Sequence, residues 1–363
     1  MRTVLAILIG IHGLIHLFGF TKAFGIYDFK ELTTNISKPA GLLWLAVAVL
    51  FIITLVLYIA KIDYWWLVAF IGLLLSQIII VFYWSDAKFG TIANIIILLV
   101  SFSGYQNWSF ENIYRNDVIN SIERNTGAEN ELLTKRDIEH LPLPVQNYIE
   151  YVGALNKPKV NNFKVTFRAE MRSGDQDWFK LTTEQHNFFD EYERLFFLKA
   201  KFKGLPTQGY HRYQGDRSDM KIKLFSTIPV VNVRGDELFE AETVTVFNDM
   251  CYLAPATLID KRISWEEIDS RTVKAVFINK DITISAILYF NDKGQLINFE
   301  SDDRYDINKM KKFKFTTPLE DYKLINGFKL ANYGEAIWHY PEGEFVYGRY
   351  HLEDIEYNVV GLR

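Results

Sequence analysis

Two runs of 21 uncharged residues, 40–60 and 64–84, are separated only by Lys61, Ile62 and Asp63. At ~1.5 Å rise per residue each run makes a helix of about 31 Å, the thickness of a bilayer's hydrocarbon core. A soluble core helix has no need of that length without a polar face. The pair therefore predicts a transmembrane hairpin. Residues 3–21 form a third uncharged run, and 89–110 a fourth that is densest over 91–102. Arg2 followed by an apolar stretch has the outline of a signal peptide, but no small-x-small cleavage site follows, so a retained first helix is expected.

These runs predict four transmembrane helices packed as an antiparallel bundle over residues 1–105, a helical connector over 106–158 and an exterior domain over 159–363. Composition supports the division. Up to Tyr105 there are six Lys/Arg and four Asp/Glu, a net +2; the remaining 34 basic and 40 acidic residues make the rest net −6. An acidic exterior does not suit a general nucleic-acid surface, which needs clustered Lys/Arg. The single cysteine, Cys251, excludes an intramolecular disulfide and a Cys-based zinc site, and its apolar surroundings suit a small core residue. Counted over short loops, Lys22, Lys30, Lys38 and Lys88 face Arg2 and Lys61 across the bundle. On the short loops the positive-inside rule favours both termini, and the exterior domain, outside a bacterial cytoplasmic membrane in a multi-pass arrangement, whereas including Arg115 and Arg124 of the flank makes the count four against four.

His12 and His16 are four residues apart and share one face of the first helix, beside Gly10, Gly13 and Gly19. Three readings fit: interhelical hydrogen bonding, handling of protons or a ligand, and ligation of a metal or haem. A metal needs further ligands, and Asp86 is the acidic candidate near a membrane end. Trp84 to Gly90, with Asp86 and Lys88, packs charge, aromatic and glycine at one boundary, as an interfacial turn does. Gln77 and Asn94 are further intramembrane polar residues. No cofactor is implied.

In the connector, Phe110, Ile113, Tyr114, Ile119 and Ile122 recur at helical spacing. Residues 125–130 break that helix. Thr134 and Asp137 form a capping pattern, and Pro144 opens a helix carrying Val145, Tyr148, Ile149 and Val152, ended by Gly153. The run Leu141-Pro142-Leu143-Pro144-Val145-Gln146-Asn147-Tyr148-Ile149, with Gly153 and a basic strand near Val160, resembles the start of a bacterial membrane-protein family of unknown function. The His12/His16 helix and the segment Ser85-Asp86-Ala87-Lys88-Phe89-Gly90 are similar to the membrane segment of some members. The resemblance brings no activity and no catalytic residues.

Beyond residue 159 the pattern changes to period two. Phe163, Val165, Phe167, Ala169 and Met171 alternate with polar residues, and similar runs follow at 196–202, 273–277, 282–290, 328–338 and 345–357. Asn291-Asp292-Lys293-Gly294 and Pro341-Glu342-Gly343 are hairpin turns. Residues 236–251 interrupt the strands with a helical stripe of Leu238, Ala241, Val244, Phe247 and Cys251, capped by Asp236; a second short helix is expected from Pro255 to Asp260. The expected fold is α+β: a curved antiparallel half-barrel with one or two helices in its concavity. That architecture resembles the LolA/LolB lipoprotein-carrier domains, with no motif residue carried over.

A curved sheet lidded by helices encloses an apolar pocket, and such pockets hold lipid or other apolar ligands. The residues expected to line it are Phe163, Phe167, Phe196, Leu238, Phe247 and Trp338; ordinary core packing is the alternative. Searches for catalysis return little. Tyr210 to Asp219 reads as a solvated polar loop, and Glu266, Glu267 and Asp269 lie together on one segment. No phosphate loop or nucleophile elbow is present. The expectation is membrane-anchored binding or transfer of an apolar ligand, with membrane lipid as partner. A membrane enzyme or redox protein using His12 and His16, and an envelope scaffold or sensor binding a protein, are the alternatives.

Overall fold

A computed structural model of the chain describes residues 2–30, 32–125, 131–174 and 177–362. The fold divides into two compact units, Met1–Phe110 and Glu111–Arg363.

The first unit is helical. α1 (Arg2–Ala23), α2 (Lys38–Ile59) and α3 (Trp65–Phe82) are each long and apolar enough to cross a membrane. α4 (Trp84–Ala87) is a single turn, and α5 (Gly90–Arg124) is one continuous helix of 35 residues. Three candidate spans, rather than four, follow. The fourth uncharged run is helical within α5, but Asn94, Ser101, Ser103, Gln106 and Asn107 dilute its apolar character below that of the other three.

Ser37 starts α2 by accepting a hydrogen bond from the Ala40 amide, with a proline in the first turn. Small residues then set the α1–α2 spacing. A Cβ on Gly19 would lie 2.2 Å from the Trp44 ring, and one on Gly41 2.3 Å from Ala23 Cβ. The inward core is Leu5, Ile9, Val47, Phe51, Leu73 and Ile97. Val4, Leu74 and Leu99 each stay roughly two-thirds exposed, so the bundle is apolar outside as well as inside.

The second unit is built on one 13-stranded antiparallel sheet. In chain order its strands are β1 (Asn162–Met171), β2 (Phe179–Phe188), β3 (Glu193–Phe202), β4 (Leu205–Gln214), β5 (Arg217–Leu224), β6 (Ile228–Arg234), β7 (Ile263–Asp269), β8 (Thr272–Asn279), β9 (Ile282–Phe290) and β10 (Leu296–Ser301). A two-stranded pair, β11 (Tyr305–Asp306) and β12 (Lys311–Lys312), precedes β13 (Lys314–Ile325), β14 (Phe328–Tyr340) and β15 (Gly343–Tyr357). The order across the main sheet is β6-β5-β4-β3-β2-β1-β15-β14-β13-β10-β9-β8-β7. The ends of the chain's strand region, β1 and β15, therefore pair at its centre, and β6 and β7 are its two unpaired edges.

Register shifts at Thr166/Phe167, Ile222/Lys223 and Ala336/Ile337 interrupt the ladders. Such bulges bend strands and increase twist, which lets a long sheet curl. On its concave face lies α8 (Asp236–Leu253), followed by a 3-10 turn, Pro255–Ile259. α8 starts at Asp236 with Gly235, at φ +130°, in the capping position, so Asp236 is the first helical residue rather than the cap. Phe247 stacks on Phe277 at 5.1 Å and meets Phe299 at 5.9 Å. The helix thus fills the middle of the hollow.

The curl brings distant hairpins together without a backbone ladder. Lys280, in the β8–β9 turn, donates to the Gly215 carbonyl and pairs with Asp216 in the β4–β5 turn. The Tyr192 ring meets Phe277 at 4.9 Å, and Arg262 stacks on Tyr192 while donating to the Phe189 carbonyl at 3.1 Å. Connector elements add to the core. Thr134 and Asp137 make the expected capping box of α6 (Lys135–Ile138). α7 (Leu143–Tyr151) buries Val145, Tyr148 and Ile149, and the Tyr148 hydroxyl donates to the Cys251 carbonyl at 2.9 Å. α5 ends at Arg124; of the helix break expected at 125–130, residues 126–130 lie outside the described residues.

Candidate functional site

Alternation decides which side chains face α8. On β1 the odd residues Phe163, Val165, Phe167 and Ala169 point into the hollow. Register then carries the same face to Thr183, Gln185 and Asn187 on β2, and to Arg194, Phe196 and Leu198 on β3. This face has three parts.

The first is the main core under α8 and α7, which takes Phe163, Phe167 and Phe247. The second is a separate apolar strip: Ala169, Leu181, Phe196 and Leu198 are buried, with Met171, Phe179 and Ala200 half-buried along its border. It continues through Tyr350 into a third cluster of Phe315, Ala336 and Trp338, ringed by Phe313, Tyr340, Phe345 and Tyr347. Gly209 holds the strip's depth on β4, since a Cβ there would meet Leu198 at 2.9 Å and Ile222 at 3.3 Å. The hydroxyl of Thr183, 4% exposed and in register with both Phe167 and Leu198, has no hydrogen-bond partner.

The six residues expected to share a pocket are therefore all buried but divided. Phe163, Phe167 and Phe247 pack in the main core; Phe196 belongs to the strip and Trp338 to the aromatic cluster; Leu238 is buried on the first turns of α8. A surface cavity of about 460 Å³ opens elsewhere, lined by Arg124, Lys159, Asp190, Asp260 and Arg262 among others, and none of the six reaches it.

A buried charge cluster closes one end of the strip. Arg194 donates from Nε to Asp249 at 2.9 Å, from Nη1 to Glu242 at 3.0 Å and from Nη2 to Gln185 at 3.0 Å. Its guanidinium lies 4.7 Å from the centre of the Phe196 ring. Asp249 also accepts from Gln185 at 2.8 Å and Asn187 at 3.0 Å, and His211 Nδ1 stands 3.8 Å from Glu242. Burial pushes the Glu242 carboxyl up, but Arg194 and then His211 outweigh it and hold it at about 2. Burial dominates at Asp249, which is raised.

The expected solvated loop at 210–219 is instead the β4–β5 hairpin, with Tyr210, Tyr213 and Asp219 buried. Its alternation is irregular because two faces are covered: Tyr213 meets Thr243 of α8, while Tyr210 donates to Asp117 of α5 on the opposite face. One signal for the charge cluster was present in the sequence. Glu242 and Asp249 lie seven apart on a helix whose same face is otherwise apolar, so both had to be paired inside.

In the first unit, His12 Nε2 is 2.8 Å from Asn94 Oδ1, and His16 Nε2 is 3.0 Å from Ser76 Oγ. Asn94 donates to Gln77 at 3.0 Å, which donates to Thr91 at 3.3 Å, and His16 Nδ1 lies 2.8 Å from the His12 carbonyl. The histidines thus sit in an interhelical hydrogen-bond network joining α1, α3 and α5. No group of three or more His, Cys, Asp or Glu side chains is placed to hold a metal among the described residues. Asp86 accepts from the Thr34 amide at 2.9 Å and the Thr33 hydroxyl at 2.8 Å, which holds its carboxyl at about 2 and ties the α1–α2 loop to α4. Lys88 lies over the Phe89 ring at 5.5 Å.

Three comparisons bear on kinship. A family model described as a family of unknown function, DUF6544, matches residues 131–350. Among solved structures, the chain is similar to a LolA superfamily protein from Nitrosomonas europaea, at 14% identity over 60% of this chain and 94% of that one, with a TM-score of 0.33. No curated protein matches.

Proposed function

We propose, for a chain that belongs to the DUF6544 family of unknown function, that it is a membrane-anchored protein whose β domain binds an apolar ligand, membrane lipid in the first place. The observation that carries this reading is the strip of Ala169, Leu181, Phe196 and Leu198 on the concave face, which α8 leaves bordered by half-buried Met171, Phe179 and Ala200. Apolar area held at a curved face with a partnerless hydroxyl, Thr183, suits a long, mostly hydrocarbon guest with a polar atom near its end. Three helices of spanning length supply the anchor; an odd number of spans puts the two termini on opposite sides, so the positive-inside count, with Lys22, Lys30 and Lys38 in the α1–α2 loop, favours a cytoplasmic position for the sheet rather than the outside one that four spans would give.

A photoactivatable phospholipid, with its diazirine at the acyl terminus, tests this on the full-length chain in proteoliposomes. Crosslinks are expected at Met171, Phe179 or Ala200, and Ala200→Trp, which fills the strip, is expected to remove most of them while leaving those in residues 1–110. Crosslinks confined to residues 1–110 in the unaltered chain would overturn the reading.

A further inference from the structure

The sheet domain is acidic as a whole, yet two neighbouring hairpin tips are not. Residues 199–205, Lys-Ala-Lys-Phe-Lys-Gly-Leu, form the tip joining β3 to β4, and 220–230, Met-Lys-Ile-Lys-Leu-Phe-Ser-Thr-Ile-Pro-Val, the tip joining β5 to β6. Together they hold five lysines and no carboxylate. β4 pairs with β5, so the two tips are adjacent at one end of the sheet. They also expose large apolar groups: Leu205 is 39% exposed, Val230 51% and Ile228 55%. Phe202 and Phe225 are half-buried beside them.

Lysines interleaved with exposed aliphatic and aromatic side chains match an interface of anionic headgroups over hydrocarbon. Such a surface is a poor fit to water alone, because the apolar groups gain nothing there. The position of the chain's entry agrees. Glu111, the first residue of this unit, pairs with Lys199 near the tip end of β3 at 2.6 Å, whereas Arg124 pairs with Glu193 at the opposite end of the same strand at 2.6 Å. Within this unit its first residue, Glu111, therefore lies at the end of the sheet where these tips are.

We propose that the β3–β4 and β5–β6 tips form a docking surface for an anionic bilayer, with Leu205, Ile228 and Val230 entering the headgroup region and Lys201 and Lys203 meeting lipid phosphates. This rests on the membrane-anchored reading but not on ligand binding. A lysine near an anionic leaflet changes surface affinity about fivefold, so reversing two is expected to lower it on the order of 25-fold or more.

The experiment uses the full-length chain in proteoliposomes containing phosphatidylglycerol. Cys251 is buried, so Ile228→Cys takes a thiol-reactive environment-sensitive dye selectively. Headgroup-proximal spin-labelled lipid should quench that dye strongly and should quench one at Leu324→Cys, 72% exposed at the other end of the sheet, little. Lys201→Glu with Lys203→Glu, or high salt, should abolish the difference. Quenching at Ile228 equal to that at Leu324, or unmoved by both salt and charge reversal, overturns the proposal. If it fails while lipid still crosslinks at Ala200, ligand binding stands and the docking surface alone is lost.

Discussion

His186 shows how much a single side chain depends on partners far away in sequence. It lies on the outer face of β2, 2.8 Å from the Tyr114 hydroxyl of α5, and its Nε2 is buried without a partner. Burial, with Lys164 adding to it, lowers its pKa from 6.5 to about 3. The unfolded chain therefore takes a proton below pH 6.5 that the native chain refuses until about pH 3. Native stability falls as pH drops through that window, by about 2 kcal/mol at pH 5. His186→Gln removes the titration and keeps a hydrogen-bonding group. Its thermal midpoint in detergent is expected to fall less between pH 7 and pH 5 than that of the unaltered chain; an equal fall would assign the acid sensitivity elsewhere. Pairing with Lys164 of β1 puts His186 on the outer face, and the all-polar run 182–187 carries no alternation to announce it. Nothing local reveals Tyr114, 72 residues earlier. The same limit applies to Phe163, Phe167, Phe196, Phe247 and Trp338. Period two points the strand residues Phe163, Phe167, Phe196 and Trp338 inward and the helical stripe does so for Phe247, but whether a strand residue lies under α8 or beyond it depends on where the helix crosses the sheet.

At the scale of elements, apolar run length and turn chemistry were legible. Helices α1 to α3, the alternating β1, the hairpin at Asn291–Gly294 and the helix in the concavity follow from spacing and from residues such as Pro144 and Gly294. Charge-free length overstated the fourth run, because Asn, Gln and Ser inside α5 carry no charge but still lower hydropathy. Close helix contact was readable only as a clustering of glycines; their partners were not. Gly19 lies against Trp44, and an added methyl has nowhere to go. Gly19→Ala is expected to cost about 1–3 kcal/mol through overpacking, measured as a lower thermal midpoint of the detergent-solubilised chain. A second change, Trp44→Phe, should recover part of it by making room. No recovery would mean that the methyl acts on something other than the indole.

For the whole molecule, the break in charge near residue 105 marks off a greasy part from a water-facing one in the sequence alone. With three helices of spanning length, the chain is expected to stay in the membrane pellet after alkaline carbonate washing; release into the supernatant would remove the anchor from the proposal. What the sequence hid was the degree of curl, since β1 and β15 meet across nearly 200 residues and the bulges that bend the sheet have no marker as plain as a glycine.

That curl leaves the outer edges of β6 and β7 without a strand partner, and among the described residues the two arms of the sheet meet through contacts such as Lys280 with Asp216 and Tyr192 with Phe277 rather than through a ladder. The fastening is a row of snaps rather than a sewn hem. Undoing it would break no strand-to-strand hydrogen bond and would leave every ladder in the sheet intact.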